Sequence, residues 1–288
     1  MVFITPGWRP RRSVLFMPAS NERALAKAPT LGCDGIILDL EDSVAPGDRD
    51  LARSNLARLK DTDFGNRERI VRITEWDSDT AQGDLEAALA CSPDAILLPK
   101  LETVQPLTEL RQRVGPQGPA IWTMVESPMA LMNLRDLAAS AAETGLEAFV
   151  VGPNDLAKST GMKPGPDRAE LLPWLAQIVA AARAHGLSVL DGVYNDFRNI
   201  EGLESECRQG ARLGFDGKTL IHPAQIDASN AAFVPDEIER GRAQAIVDAY
   251  AAPENRDKGA IQINGEMVER LHLDSAKKLL QTLKDHGL

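Results

Sequence analysis

Apolar residues fall along the chain in short, nearly continuous runs separated by longer amphipathic stretches. The runs occupy residues 13–19, 35–42, 69–74, 95–100, 120–126, 148–152, 187–191 and 215–222. They are rich in Val, Ile and Leu and do not alternate with polar residues, the pattern of parallel strands buried on both faces. Between them, stretches such as 21–31, 84–90, 129–143 and 170–185 carry their apolar residues at helical spacing. Gly32, Gly145, Gly186 and Gly214 each follow such a stretch, where a helix C-terminal glycine belongs.

Eight strand–helix alternations in about 225 residues match the usual size of a (β/α)8 barrel. An open doubly wound sheet is the competing architecture. Eight units, and no glycine-rich phosphate loop after the first strand, favour the barrel. After His222 the pattern changes. Residues 224–250 are expected as helix, 253–265 as a polar connection with a short extended piece (AIQIN), and 266–286 as a final helix. The expectation is an α/β chain: a (β/α)8 TIM barrel over 1–223 and a C-terminal helical lid extension over 224–288.

Composition changes little in this picture: 43% hydrophobic and 26% charged is ordinary globular usage. A net charge of −10 argues against a nucleic-acid binder, while leaving room for a local anion site. No run of 18 apolar residues suggests a membrane span, and the polar, basic start from Met1 to Arg12 does not resemble an export signal. Cys33, Cys91 and Cys207 are few, odd in number and unclustered, so neither disulfides nor zinc are expected and the cytoplasm is the default address.

Chemistry in such a barrel sits at the C-terminal ends of the strands. Strand two ends in Asp39-Leu40-Glu41-Asp42, strand three carries Arg72, and strand four ends in Pro99-Lys100. Strand five ends in Glu126, strand six leads to Asn154-Asp155, and strand seven ends in Asp191 with Tyr194-Asn195-Asp196 behind it. Carboxylates gathered at one rim repel one another unless a cation or protons intervene, which points to a hard-cation site. Oxygen donors without a histidine cluster suit Mg²⁺, or Mn²⁺, better than zinc. Such an ion polarises a carbonyl and stabilises a developing enolate. Arg72 suits bidentate pairing with a substrate carboxylate. Each residue also has a plainer role open to it. A single strand-end carboxylate, Asp42 and the neighbouring Asn154 especially, serves equally well as a helix cap or loop residue. Arg72 could bridge interior acids, Lys100 could be solvated, and His222 could be a hydrogen-bonded strand-end histidine. Trp122, Tyr194 and Phe197 suit packing or a pocket wall, and Arg11 and Arg12 suit a phosphate or an ordinary basic terminus.

The stretches RRSVLFMPA (11–19), DGIILDLEDSV (34–44), VRIT (71–74), AILLPK (95–100), MVESP (124–128), VGPNDLA (151–157) and GFDGKTLIHPAQI (214–226) together resemble one family. It is the citrate lyase β-subunit-like group of CoA-ester lyases, which includes malyl-CoA and citramalyl-CoA lyases, within the HpcH/HpaI aldolase superfamily. The resemblance runs from about residue 11 to 280. It implies that Glu126 and Asp155 are the metal ligands, with Glu41 and Asp42 holding metal-bound waters. It implies further that Arg72 grips the oxo-acid moiety, that Gly152, Pro153 and Asn154 present backbone amides to the same group, and that Lys100 lies near the site. The implied activity is Mg-dependent cleavage of a malyl- or citramalyl-CoA-type thioester into an oxo acid and an acyl-CoA, with CoA entering as part of the substrate. The implied assembly is a homotrimer or a multiple of it, whose lid closes over a neighbour's site.

One departure stands out. The family's lid carries G-x-M-[VI]-D, whose aspartate transfers the proton. Here the segment is Gly265-Glu266-Met267-Val268-Glu269, so a glutamate occupies that position. One added methylene shifts the carboxylate by about 1 Å, a displacement that can cost on the order of a hundredfold in rate. Some members of the group hydrolyse malyl-CoA instead, so a thioesterase on the same scaffold is the alternative expectation. A citrate lyase β-like subunit that needs partner chains is the third. Glu269 also suits the first turn of a solvated helix.

Overall fold

A computed structural model describes residues 9–287. Part of the polar, basic start, residues 1–8, lies outside them. Eight parallel strands close into a barrel in chain order. They are β1 (Ser13–Pro18), β2 (Gly35–Asp39), β3 (Glu68–Arg72), β4 (Ala95–Leu98), β5 (Ala120–Val125), β6 (Leu146–Val151), β7 (Ser188–Asp191) and β8 (Gly217–Leu220). The first four strands are each followed by one α-helix: α1 (Glu22–Lys27), α2 (Arg49–Arg58), α3 (Ala81–Ala90) and α4 (Gln105–Val114). Three short helices follow β5, namely α5 (Pro128–Met132), α6 (Leu134–Ala139) and α7 (Ala141–Thr144). Then α8 (Pro153–Thr160) and α9 (Leu172–Ala184) follow β6, α10 (Ile200–Leu213) follows β7, and α11 (Ile226–Ala232) follows β8.

The strands are buried on both faces, which explains their unbroken apolar sequence. Val14, Ile37, Ile70, Leu97, Trp122, Met124, Val150 and Leu190 fill the barrel interior. Their neighbours in sequence, among them Leu15, Ile36, Leu38, Val71, Ile96, Phe149 and Val189, pack outward in the larger core that includes the helices. This parity decides where each strand-end side chain goes. Register then decides what it meets: Asp39 of β2 stands beside Arg72 of β3, and Asp191 of β7 beside Lys218 of β8.

The N-terminal ends of the strands are plugged by Arg11. Its guanidinium donates to Glu68 at 2.7 Å twice, to Ser188 at 2.7 Å and to Glu147 at 2.5 Å, and it stacks over Trp122. Arg12 forks onto Asp34. Both arginines are spent at the end of the barrel opposite the strand-end acids, so neither is the basic phosphate contact contemplated from sequence.

The chain divides into two compact units, one of them Arg11–Phe233 and the smaller containing Val234–Leu288. The barrel unit thus ends ten residues beyond the boundary expected at 223. The reason is α11, which packs on α10, β1 and β8. Ser229 Oγ also donates to the Arg12 carbonyl at 2.7 Å, and Asn230 Nδ2 to that of Gly32 at 2.9 Å. The expected C-terminal role also holds for Gly145 and Gly214, which cap their helices in the left-handed region, while Gly32 has no positive φ.

The smaller unit contains α12 (Glu237–Ala251), β9 (Ala260–Ile263), β10 (Glu266–Glu269) and α13 (Arg270–His286). Two expectations need correction. The helix foreseen over 224–250 is two helices, because Asp236 opens a new N-terminus in a reciprocal capping box with Glu239. Residues 266–269 are strand, not helix: Asn264 and Gly265, at φ 50° and 86°, turn the chain so that β10 pairs antiparallel with β9. Ile246, Tyr250, Ile261, Val268 and Leu273 form this unit's own core, and the Tyr250 hydroxyl donates to the Val268 carbonyl at 2.8 Å.

Candidate active site

Parity along three strands aims polar side chains at the barrel mouth. Two residues beyond the interior-facing Ile37, Ile70 and Met124 come Asp39, Arg72 and Glu126. Asp39 is fully buried, and its carboxylate accepts from Arg72 Nε and Nη2, each at 2.6 Å. It also accepts from the Glu41 amide at 3.0 Å, the Ser43 amide at 3.1 Å and the Ser43 hydroxyl. Burial alone would raise the Asp39 pKa, but the Arg72 fork, helped by Ser43 and the Glu41 amide, leaves it below the ordinary carboxylate range.

Arg72 therefore differs from its expected role. The bidentate edge foreseen for a substrate carboxylate is engaged by Asp39. The remaining nitrogen, Nη1, faces Glu41 at 2.9 Å, Asp42 at 3.5 Å and the Met124 sulfur at 3.5 Å. The guanidinium lies over the Phe16 ring, 4.8 Å from its centroid. Burial would lower its pKa, yet Asp39, Glu41 and Asp42 more than offset that and keep it charged.

Lys100 closes the next side. It is a non-glycine residue in the left-handed region, at φ 52°. That conformation costs about 1–2 kcal/mol for an ordinary side chain, and such outliers cluster at functional sites. Here it directs the Lys100 amide onto Glu126 Oε1 at 2.6 Å while the ammonium reaches Glu41 and, at 3.6 Å, Asp42. Glu41 is thereby bridged between Arg72 and Lys100. Burial still raises its pKa, against the lowering influence of those two cations.

Glu126 is 3% exposed, and Asp155, on the first turn of α8, lines the same cleft. Burial first, with Glu41 and Asp155 adding like charge, pushes the Glu126 pKa up to about 7. A Cβ at Gly152 would stand 2.5 Å from Glu126 Cβ and 2.6 Å from its Oε2, so only glycine leaves this carboxylate its place. Among the described residues nothing donates to Glu126 Oε2 or to the Asp155 carboxylate. Two open carboxylates with an excess of negative charge fit Mg²⁺, which takes one or two protein carboxylates and completes its shell with water and substrate oxygens. Among the described residues no three His, Cys, Asp or Glu side chains gather as a metal cluster, so a zinc-type protein cage is not what this donor set offers.

The cleft encloses about 640 Å³. Its walls include Trp76, Leu101, Thr103 and Lys158, none of which sequence reasoning singled out. Trp76 alone had a signal, as a tryptophan just beyond a strand end.

The other strand-end residues have structural duties. Asn154 and Asn195 exchange side-chain hydrogen bonds at 2.8 and 3.3 Å, tying the β6–α8 turn to the loop after β7. Pro153 packs against Gly192, where a Cβ would meet it at 2.2 Å. Asp191 does not join the rim carboxylates, because Leu190 takes the interior position and Asp191 points outward. There it meets Lys218 Nζ at 3.1 Å and Arg168 Nη1 at 2.7 Å. His222 caps the turn after β8 through Nδ1 and stacks on Phe197 with ring centroids 4.5 Å apart. Trp122 is wholly buried in the interior, and Tyr194 accepts a hydrogen bond from Asn199, so these aromatics serve packing. Glu269, in the smaller unit, is exposed at the end of β10, and its amide donates to His272 Nδ1 at 2.9 Å.

Known proteins resemble this chain in sequence and fold. Residues 12–223 match the HpcH/HpaI aldolase/citrate lyase family. The chain is 43% identical over 272 residues to a (3S)-malyl-CoA thioesterase of Cereibacter sphaeroides, covering 94% of each chain. It is 32% identical over 288 residues to the mitochondrial citramalyl-CoA lyase of Mus musculus, covering 94% of this chain and 85% of that one. Among solved structures it superimposes on the protein CitE of Mycobacterium tuberculosis in complex with magnesium, acetoacetate and coenzyme A. The TM-score is 0.81 at 28% identity, covering 96% of this chain and 98% of that one.

Proposed function

We propose, for a chain that belongs to the HpcH/HpaI aldolase/citrate lyase family, a Mg²⁺-dependent enzyme acting on a malyl-type CoA thioester, with thioester hydrolysis as its net reaction. The observation that carries the choice is the pairing of Glu269 at the lid position with 43% identity to a thioesterase across 94% of both chains. Glu126 and Asp155 are the cation's two carboxylate ligands, with Glu41 and Asp42 ordering the waters around it. Mg²⁺ or Mn²⁺ there supplies Lewis-acid polarisation of a substrate oxygen.

The chain's own residues do the rest. Arg72 Nη1 balances negative charge that develops on the substrate, in a buried setting where such a charge counts for more than in water. The first-turn amides after Gly152, at Asn154 and Asp155, suit a carboxylate at the α8 N-terminus; Pro153 itself has no N–H to offer. Lys100 holds Glu126 and Glu41 in place. Water attacks the thioester carbonyl, Glu269 takes its proton, and the thiolate leaves to be protonated as free CoA, giving malate.

Carbon–carbon cleavage is the second reading, favoured by the 32% identity to citramalyl-CoA lyase. There the substrate hydroxyl loses its proton, the bond between the hydroxyl-bearing carbon and the acyl α-carbon breaks, and Glu269 protonates the acyl-CoA enolate. Glu269 is supplied by a neighbouring subunit of a homo-oligomer, a trimer or a multiple of it, in both schemes. The exposed Ile238, Met267 and Leu271 of the smaller unit are apolar surface of the kind a second subunit covers. The three cysteines are free and buried, each pushed to about 11 by burial, as suits a reducing compartment, and the cytoplasm is the location assigned.

Incubation of malyl-CoA with the enzyme and Mg²⁺ tests the assignment. Free CoA and malate without glyoxylate are expected. Stoichiometric glyoxylate and acetyl-CoA would move the assignment to the lyase, and inertness toward malyl-, methylmalyl-, citramalyl- and citryl-CoA would end both.

A further inference from the structure

We propose that Asp39 is a positioning residue for this reaction: it holds the Arg72 guanidinium in one plane and folds the 39–43 turn, so that Arg72 Nη1 meets the Glu41 carboxylate and Glu41 in turn holds Lys100, which lines the cleft and binds Glu126. The inference rests on the catalytic reading above and adds a residue that no substrate can touch, since Asp39 is 0% exposed.

The geometry has two halves. One carboxylate oxygen binds Arg72 Nε and the Glu41 amide, and the other binds Arg72 Nη2, the Ser43 amide and the Ser43 hydroxyl. Five donors saturate a group with about four lone-pair sites, so Asp39 has no freedom to move independently of either partner. Arg72 is left with one nitrogen, Nη1, that Asp39 does not engage, and that nitrogen meets Glu41 at 2.9 Å. Glu41 lies only two residues beyond Asp39, and its chain direction is set by the amide bond that Asp39 accepts. Asp39 thus fixes both ends of the Arg72–Glu41 contact, and through Glu41 the position of the Lys100 ammonium.

A counter-ion alone would not require this arrangement. Arg53 pairs with the buried Asp84, and Arg183 with Asp216, and none of these four lines the cleft. Asp39 differs because its arginine and its turn both end at Glu41, which holds the cleft-lining Lys100.

Asp39→Asn keeps the shape and replaces one acceptor oxygen with an NH2 that opposes donors already there. The expected result is a folded protein whose kcat falls on the order of a hundredfold, the scale for misplacing a catalytic group by about 1 Å. KM and the Mg²⁺ dissociation constant, measured by calorimetry, should stay within about threefold. In an Arg72→Lys background the same substitution should cost less than about threefold, since coupled residues are not additive. A purely structural counter-ion would lower the melting temperature in both backgrounds and leave kcat per folded molecule unchanged, which would overturn the proposal. So would an undiminished penalty in the Arg72→Lys background, or loss of Mg²⁺ affinity in step with kcat.

A second measurement does not depend on turnover. The Arg72 Nε–H should exchange slowly with solvent by NMR in the wild type and at least about tenfold faster in Asp39→Asn. Equal protection would sink the idea even if the wild type proved inert toward CoA esters, a result that would count against the assigned function alone. If Asp39→Asn does not fold, Ser43→Ala removes one bond to the same oxygen. Faster Arg72 exchange in that variant supports the proposal, and unchanged exchange overturns it.

Discussion

The backbone amide of Lys100 donates to Glu126 Oε1 at 2.6 Å, and Lys100 makes that bond from a left-handed conformation, at φ 52°. Backbone strain on one strand end is thus coupled to the orientation of a carboxylate on the next. Lys100→Gly and Lys100→Ala both remove the ammonium from Glu41 and Asp42. Only glycine relieves the backbone, so the glycine variant should be the more stable by about 1 kcal/mol. Urea denaturation midpoints compare the two, and both should turn over more slowly than the wild type.

Gly152→Ala places a methyl group 2.5 Å from Glu126 Cβ and 2.6 Å from Oε2. Overpacking of this kind typically costs about 1–3 kcal/mol. The displaced carboxylate should weaken Mg²⁺ binding at least about tenfold, read by calorimetry. Unchanged affinity would place the cation elsewhere.

Glu126 titrates near 7 in the folded chain because it is buried beside Glu41 and Asp155. Its folded pKa lies above the unfolded carboxyl range, so the metal-free fold binds the extra proton and loses stability as pH rises toward 7. Cation binding needs the deprotonated form. Mg²⁺ affinity should therefore climb with pH below about 7 and level off above it, with proton release on binding at pH 6 measurable in buffers of different ionisation enthalpy.

Asp191 is fully buried. Burial would raise its pKa, but Lys218 and Arg168 overcome that and lower it. The stability it contributes is complete above the unfolded carboxylate range and is lost as pH falls through the lower folded value. Lys218→Met should cost about 3–5 kcal/mol by stranding charge in the wall. Thermal melts should register that loss, while kcat of the folded fraction stays near wild type because the pair faces α10 rather than the cleft.

Glu269→Asp shortens the side chain of the carboxylate at the end of β10 by one methylene. If its reach selects the reaction, product analysis with malyl-CoA should show glyoxylate appearing at the expense of free malate. A product ratio identical to the wild type would remove Glu269 from that choice.

The barrel was legible because burial on both faces writes itself into composition: eight Val/Ile/Leu runs could hardly be anything but interior parallel strands. The carboxylates Glu126 and Asp155 were legible for the same reason, as charges standing where apolar runs stop. The tail was less so. Its helical periodicity concealed the Asp236 cap, and the Asn264-Gly265 turn, a local hairpin signal, was lost beside a strong helix in 270–286.

By itself the sequence determined the eight barrel strands, the mouth of the barrel and the residue types available there, because these depend on local periodicity and on which residues are apolar. Only the tertiary structure decided which of the charges meet. Cross-strand register set Asp39 beside Arg72 and took up its bidentate edge, while side-chain parity turned Asp191 out of the site to Lys218. An αL backbone aimed Lys100 at Glu126, and close packing made Gly152 the floor under that carboxylate. Such contacts join residues far apart in sequence, and their energies depend on distances of a few ångströms that no single run of residues specifies.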